Sequence, residues 1–288
     1  MPSLDTKALL DIHDGDTPAI RMPVRMLSID TPEVTAGSVA GAARIDQRFA
    51  QLAEWIESRP DDVPISRRFA DYLLPKLTDA PGTLQFTQGT AASEFAKSNA
   101  EQRLARPDGS KRALFVRTAD APFDPNGRLL AYLAPNYSIA ERKSLTRAQR
   151  STFNLDMVRQ GWATPFIIYP SIPGELDMPM FLSAAVEAVR ASRGIWADAL
   201  TMPGYEYRSI ERLFAITKKI VADGAPVDDP YSWRERYCVD MRTRVLFGPE
   251  DYFDIHPSYR LWLWPADVRE AVGRMNLTPA PRLVGAAA

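Results

Sequence analysis

Residues 25–33 read RMLSIDTPE, and the N-terminal fold turns on how this stretch is read. Val24 to Asp30 has strand texture, and Pro32 closes it because proline cannot donate to a ladder. Thr31, which precedes that proline, is driven towards extended backbone, so its carbonyl is not committed to a sheet. Arg25 and Asp30 are five positions apart and would face opposite ways on an ideal strand, so the strand must twist, bulge or end before Asp30. Outward from this stretch, KALLDI (7–12) is a short apolar strand, Asp14-Gly15 in HDGDT (13–17) is a hairpin turn pair, and Met22-Pro23 marks a second turn. The expectation is a three-strand meander, with His13 as a surface residue at a strand end.

The chain has 288 residues, 45% hydrophobic and 25% charged, which allows a sizeable core. No apolar run nears the roughly 18 residues that a membrane span needs. The N-terminus lacks the basic and apolar regions of a signal peptide, so the chain is read as cytoplasmic. One cysteine, Cys238, excludes an internal disulfide and is expected to be a buried, inert thiol. With two histidines beside it there is no Cys/His set for zinc, so any metal must be held by oxygen. A net charge of −1 argues against avid, non-specific nucleic-acid binding and leaves only a local basic patch for such a partner.

Further along, the texture becomes helical. RIDQRFAQLAEWIESRP sets Ile45, Phe49, Leu52 and Ile56 at helical spacing, and ISRRFADYLLPKL does the same with Ile65, Phe69 and Leu73. Residues 34–88 therefore read as a helical insertion. AASEFAKSNAEQRLA is a further helix, RALFVRT and RLLAYLA are strands joined by the loop ADAPFDPNG, and NLDMVRQGW and PMFLSAAVEAVRASRGIW are helices. Residues 201–288 form a C-terminal extension containing the amphipathic IERLFAITKKIVADG, which Gly224 ends. Its many aromatics, from Tyr205 to Trp264, suit stacking on single strands, a partner surface or an ordinary core. The core is the more economical reading, since RLWLWP alternates like a half-buried strand.

Four carboxylates (Asp14, Asp16, Asp30 and Glu33) and Arg25 crowd the N-terminal strands. Asp16, Asp30 and the Thr31 carbonyl are hard oxygen donors of the kind Ca²⁺ or Mg²⁺ prefers, with room left for water and a phosphate. Glu33 lies within reach of such a water, and Arg25 offers a planar fork for phosphate oxygens. Taken singly, the same segments have plainer readings: DGDT as a hairpin turn, DTPE as a strand end before a helix cap, and GRLLAY as a glycine turn into a strand.

Taken together and in order, DGDT, RMLSIDTPE, DPNGRLLAY, NLDMVRQGWA and GIW resemble staphylococcal nuclease and its relatives, over residues 7–33 and 89–196. The resemblance implies a mixed α+β fold: a five-stranded OB-type barrel with packed helices, over residues 1–200 and interrupted by the 34–88 insertion. It implies Asp16, Asp30 and the Thr31 carbonyl as ligands of Ca²⁺, or of Mg²⁺ or another divalent cation. Glu33 would be the water-orienting base, and Arg25 and Arg128 the clamp on the scissile phosphate. The implied reaction is phosphodiester hydrolysis of DNA or RNA. Pro125 and Asn126 stand where relatives commonly have Lys-Tyr, and Ile167 replaces a tyrosine, leaving Asn126 and Tyr169 as substrate-contact candidates, although an aromatic beside PFII is more often half-buried core.

Two other classes stay open beside the nuclease. One is a catalytically weak or inactive module of the same fold that binds nucleic acid or protein. The other is an enzyme for a different phosphate ester. Segments 34–88 and 201–288 are candidate surfaces for a protein partner or for a second copy of the chain.

Overall fold

The computed structural model describes residues 6–285 except 13 and 15. The expected Asp14-Gly15 turn and the surface position of His13 thus lie outside the described residues. The fold is mixed α+β and divides into two compact units, one built from residues 1–28 and 97–156 and the other from 29–96 and 157–288.

The first unit holds β1 (Ala8–Ile12), β2 (Pro18–Arg21) and β3 (Val24–Met26). The chain re-enters it later with the strand pair whose loop carries Arg128. β1 and β2 form an antiparallel pair with an irregularity between Leu9 and Asp11. Among the described residues β3 pairs not with β2 but with a strand a hundred positions away, so the expected three-strand meander is corrected to two separate sheets. The reason is a non-local ladder: Leu129 N–H donates to the Pro23 carbonyl at 3.0 Å, and Leu27 N–H to that of Ala131 at 3.0 Å.

In the second unit, β4 (Ile29–Asp30) is followed by the three helices of the insertion, α1 (Val39–Ser58), α2 (Arg67–Leu77) and α3 (Pro81–Leu104), the last of which runs on into the first unit. α1 is capped by Ser38, whose hydroxyl accepts from Gly41 N–H at 3.0 Å, and it stops ahead of Pro60. Ile45, Phe49, Leu52 and Ile56 are all buried, as their spacing predicts, each contributing roughly 1.5 to 3 kcal/mol by burial. α2 is capped by Ser66 and continues through Pro75, burying Phe69, Leu73 and Leu77. α3 starts at Pro81, well before the helix expected from AASEF.

β5 (Leu114–Phe123) and β6 (Leu129–Pro135) return to the first unit as an antiparallel hairpin. β5 runs further than expected, which shortens the connecting loop to residues 124–128. The sheet order is β3-β6-β5, with β3 parallel to β6. α4 (Ile139–Ser144) and α5 (Phe153–Arg159) follow.

The rest belongs to the second unit: β7 (Thr164–Pro165), β8 (Ile167–Ile168), α6 (Met178–Arg190), α7 (Gly204–Val221), β9 (Tyr237–Asp240), β10 (Val245–Phe247), β11 (Arg260–Leu263), α8 (Val268–Met275) and β12 (Thr278–Pro279). Five of these strands make one sheet in the order β12-β10-β9-β11-β8, while β7 pairs with β4. The main core joins α1 and α2 to the aromatics of the tail. Trp233 stacks on Phe69 at 5.3 Å and Tyr205 on Phe166 at 5.2 Å, and the Trp233 indole donates to the Pro64 carbonyl at 3.1 Å. The core reading is realised for Tyr205, Tyr207, Trp233, Tyr252 and Trp262, whereas Tyr231 and Trp264 are exposed. Residues 201–288 share their interior with residues 29–96. A buried polar network runs through this core: Tyr72 and Lys76 of α2 both donate to Glu206 of α7, and Arg260 of β11 donates to the Tyr205 hydroxyl at 2.7 Å. Cys238 is fully buried, and burial pushes its thiol pKa far up, so it is inert as expected. Among the described residues no helix is long and apolar enough to cross a membrane.

Candidate functional site

The first unit positions the two arginines. β3 and β6 run parallel with Val24 opposite Leu129 and Arg25 opposite Leu130. Residues paired across a ladder project to the same side, and residues two apart on one strand do so as well. Arg25 therefore shares a face with Leu130, and Arg128 lies in the turn just before β6 begins at Leu129. The loop 124–128 holds Arg128 in place. The Asp124 carboxylate accepts from the backbone N–H groups of Asn126 and Arg128, each at 2.9 Å, and from Arg128 Nε at 2.6 Å, while Gly127 takes the left-handed conformation the turn requires. Burial pushes the Asp124 carboxyl up, but the hydrogen bonds from Arg128 and its charge prevail and hold it below its ordinary range. Asn126 is exposed beside this turn.

The strand break expected before Asp30 is present. β3 ends at Met26, Ser28 adopts a left-handed conformation with φ 61°, and β4 begins at Ile29. Asn154, from the NLDMVRQGW motif, pins this end of β3. Its side-chain amide donates to the Leu27 carbonyl at 2.9 Å and to that of Ala131 at 3.3 Å, and accepts from Leu133 N–H at 3.1 Å. Asp16 is exposed and accepts from the Thr17 hydroxyl at 3.1 Å.

Asp30, Thr31 and Glu33 belong to the second unit, where they lie between α3 and α7. With the Gln85 amide turned so that both of its ends are satisfied, its oxygen accepts from Glu33 N–H at 2.9 Å and its nitrogen donates to the Met202 carbonyl at 3.1 Å. On the other side Gly204, the first residue of α7, lies so close that a Cβ there would fall 2.4 Å from the Thr31 oxygen and 2.7 Å from Asp30 Oδ2. One turn on, Arg208 reaches back to both carboxylates: Nη2 donates to Asp30 Oδ2 at 3.0 Å, and Nη1 donates to Glu33 Oε1. The Asp30 side chain has no exposed surface. Burial pushes the guanidinium pKa down, but Asp30 and Glu33 more than offset this and hold it above its ordinary value. Glu33 and Arg208 also line an open cleft of about 350 Å³ with Arg44, Arg48 and Glu211, and burial together with the Glu33 charge raises the Glu211 carboxyl.

Tyr169 is 6% exposed, its ring is part of the core beside the five-stranded sheet, and its hydroxyl donates to Glu270 at 2.9 Å. It is placed as a core residue rather than a free stacking surface. Sequence reasoning missed Arg208, Gly204, Gln85 and Asn154. The first two fall in the opening turns of α7, ahead of the amphipathic stretch that began at Ile210. Proline at 203 before glycine was the available signal for a helix start there, but nothing local tied it to Asp30.

Residues 75–198 match the family model of staphylococcal nuclease homologues, so this part of the chain is similar to that family. No curated protein matches the chain. The matched range includes Asn126, Arg128, Asn154 and Tyr169. Asp16, Arg25, Asp30, Thr31 and Glu33 precede it, and Arg208 follows it.

The donors implied for a divalent cation can be tested against this geometry. Their chemistry suits a hard cation. Their arrangement does not: Asp30 is wholly buried against a guanidinium, and the Thr31 carbonyl faces the Gly204 backbone.

Proposed function

We propose that this protein is a phosphodiesterase of the staphylococcal nuclease type that cleaves DNA or RNA, with residues 1–200 carrying an OB-type barrel and 201–288 extending it. The observation that supports this reading is the β3–β6 pairing, which sets Arg25 opposite Leu130 and brings β3 beside the turn that carries Arg128. Two planar forks so held suit an anionic phosphodiester, whose oxygens gain charge during attack, so fixed guanidinium groups favour the transition state over the ground state. Arg128 is aimed by Asp124, and Arg25 by the ladder. Glu33 takes the proton of the attacking water, which requires its carboxylate to leave Arg208. Asp16, Asp30 and the Thr31 carbonyl are the proposed donors for a divalent cation, with Ca²⁺ the one the family typically uses, and they would hold it only once Arg208 has left Asp30.

The pairing of Glu33 and Asp30 with Arg208 favours a second reading, a binding module that keeps the fold without turnover. A carboxylate locked to a guanidinium is a poor base. Incubation of the purified protein with labelled single- and double-stranded DNA and RNA, with Ca²⁺, Mg²⁺ or chelator, separates the two. Cleavage under any of these conditions supports the enzyme; retention of substrate without product under all of them supports the binder.

A further inference from the structure

We infer that Arg208 is a resident counter-cation, which neutralises Asp30 and Glu33 in place of a divalent metal and excludes that metal for as long as it stays paired. The inference rests on the reading of Asp30 and Thr31 as cation donors. It starts from a disagreement: the donors are of the right chemistry, yet α7 covers them.

Burying the Asp30 carboxylate without compensation is prohibitive, and Glu33 stands beside it partly exposed, so without a metal the protein must supply positive charge at this place. Arg208 supplies it from a position one helical turn beyond Gly204. The absence of a Cβ at Gly204 lets the helix start close against the Thr31 oxygen and Asp30 Oδ2. The planar fork then spans both acids, one nitrogen to each. A divalent cation at Asp30 would stand within a few ångströms of the guanidinium, and like charges that close in a shielded site repel strongly. Metal and Arg208 therefore compete for one carboxylate. Arg208 retains an escape route, because its side chain is 30% exposed and borders the open cleft between α1 and α7.

Arg208 is accordingly a positioning residue, and its removal changes cation affinity in a direction that a purely structural role does not produce. The test uses the full chain, titrated with CaCl₂ by calorimetry without substrate, for wild type, Arg208→Gln and the double variant Asp30→Asn with Arg208→Gln. Arg208→Gln should bind Ca²⁺ at least about tenfold more tightly than wild type, and the double variant should lose that gain. Equal or weaker binding by Arg208→Gln, or a gain that survives in the double variant, overturns the inference. Should Arg208→Gln fail to fold, Arg208→Lys carries the test, because one ammonium cannot hold both acids as the fork does and Ca²⁺ affinity must still rise severalfold. Cleavage assays on the same proteins keep the two proposals apart. A gain in affinity with no turnover leaves Arg208 assigned and removes the nuclease reading; turnover with unchanged affinity does the reverse.

Discussion

Asn154 and Leu27 are joined by a 2.9 Å hydrogen bond from a fully buried side-chain amide to the last carbonyl before the chain turns at Ser28. The same amide serves Ala131 and Leu133, so one side chain fixes the end of β3 against β6. Replacing Asn154 with Ala or Leu leaves buried backbone groups without partners. The expected loss is roughly 2 to 3 kcal/mol in urea unfolding at neutral pH. A loss below 0.5 kcal/mol would mean that the ladder does not depend on this residue.

Gly204→Ala tests the approach of α7 to Thr31. The added methyl would meet a backbone oxygen and a carboxylate at less than 3 Å, neither of which is the end of a flexible chain. Overpacking of this kind costs about 1 to 3 kcal/mol, although alanine is otherwise the better helix residue. A variant as stable as wild type, or more stable, in thermal unfolding would show that α7 does not sit on this segment.

A chain ending at residue 200 is expected not to form the second unit. It lacks Tyr205, Tyr207, Leu213, Trp233 and Trp262, which fill the core against α1 and α2. Near-ultraviolet circular dichroism should lose its fixed aromatic signal, and protease should cut within residues 34–88. A soluble, protected fragment would contradict the shared core.

How far the sequence could be read follows from how local each feature is. The helical stripe Ile45–Phe49–Leu52–Ile56 was readable because burial follows a 3.6-residue period, and its members are indeed inside. The break before Asp30 was readable because five positions cannot reconcile Arg25 and Asp30 on one straight strand, and Ser28 supplies the turn. The partner of β3 was not readable, since the register with Leu129 is set a hundred residues away by Asn154 and by backbone bonds. Nor was Arg208, which meets Asp30 across 178 positions and lies in the opening turns of α7, ahead of the amphipathic pattern.

Asp124 makes the Arg128 loop pH-dependent. Its carboxyl is held below its ordinary value of 3.8, so its contribution is complete above that value and is lost as pH falls through the lower folded-state value. Asp124→Asn should therefore differ from wild type in stability at pH 7 and converge with it in strong acid. A difference that persisted unchanged at low pH would remove the charge from this account and leave only the turn geometry.

Arg128→Lys separates an enzyme from a binder. Arg25 and Arg128 are a hundred residues apart in sequence, and the β3–β6 pairing brings the strand that carries Arg25 beside the turn that carries Arg128, where the proposed clamp has two forks for one phosphate. Lysine keeps the charge at 128 but loses the planar fork, and it cannot reproduce the Nε contact by which Asp124 aims the side chain. If both forks act on charge that develops during attack, kcat should fall by orders of magnitude while substrate binding weakens far less. A binding module would show no turnover in either protein, and the two affinities would differ by about one phosphate contact, roughly 1 kcal/mol. Steady-state kinetics and anisotropy titration on the same oligonucleotide distinguish these outcomes. An Arg128→Lys protein that cleaves at the wild-type rate would place the clamp elsewhere, and the loop at 124–128 would then be a hairpin turn held by Asp124 and nothing more.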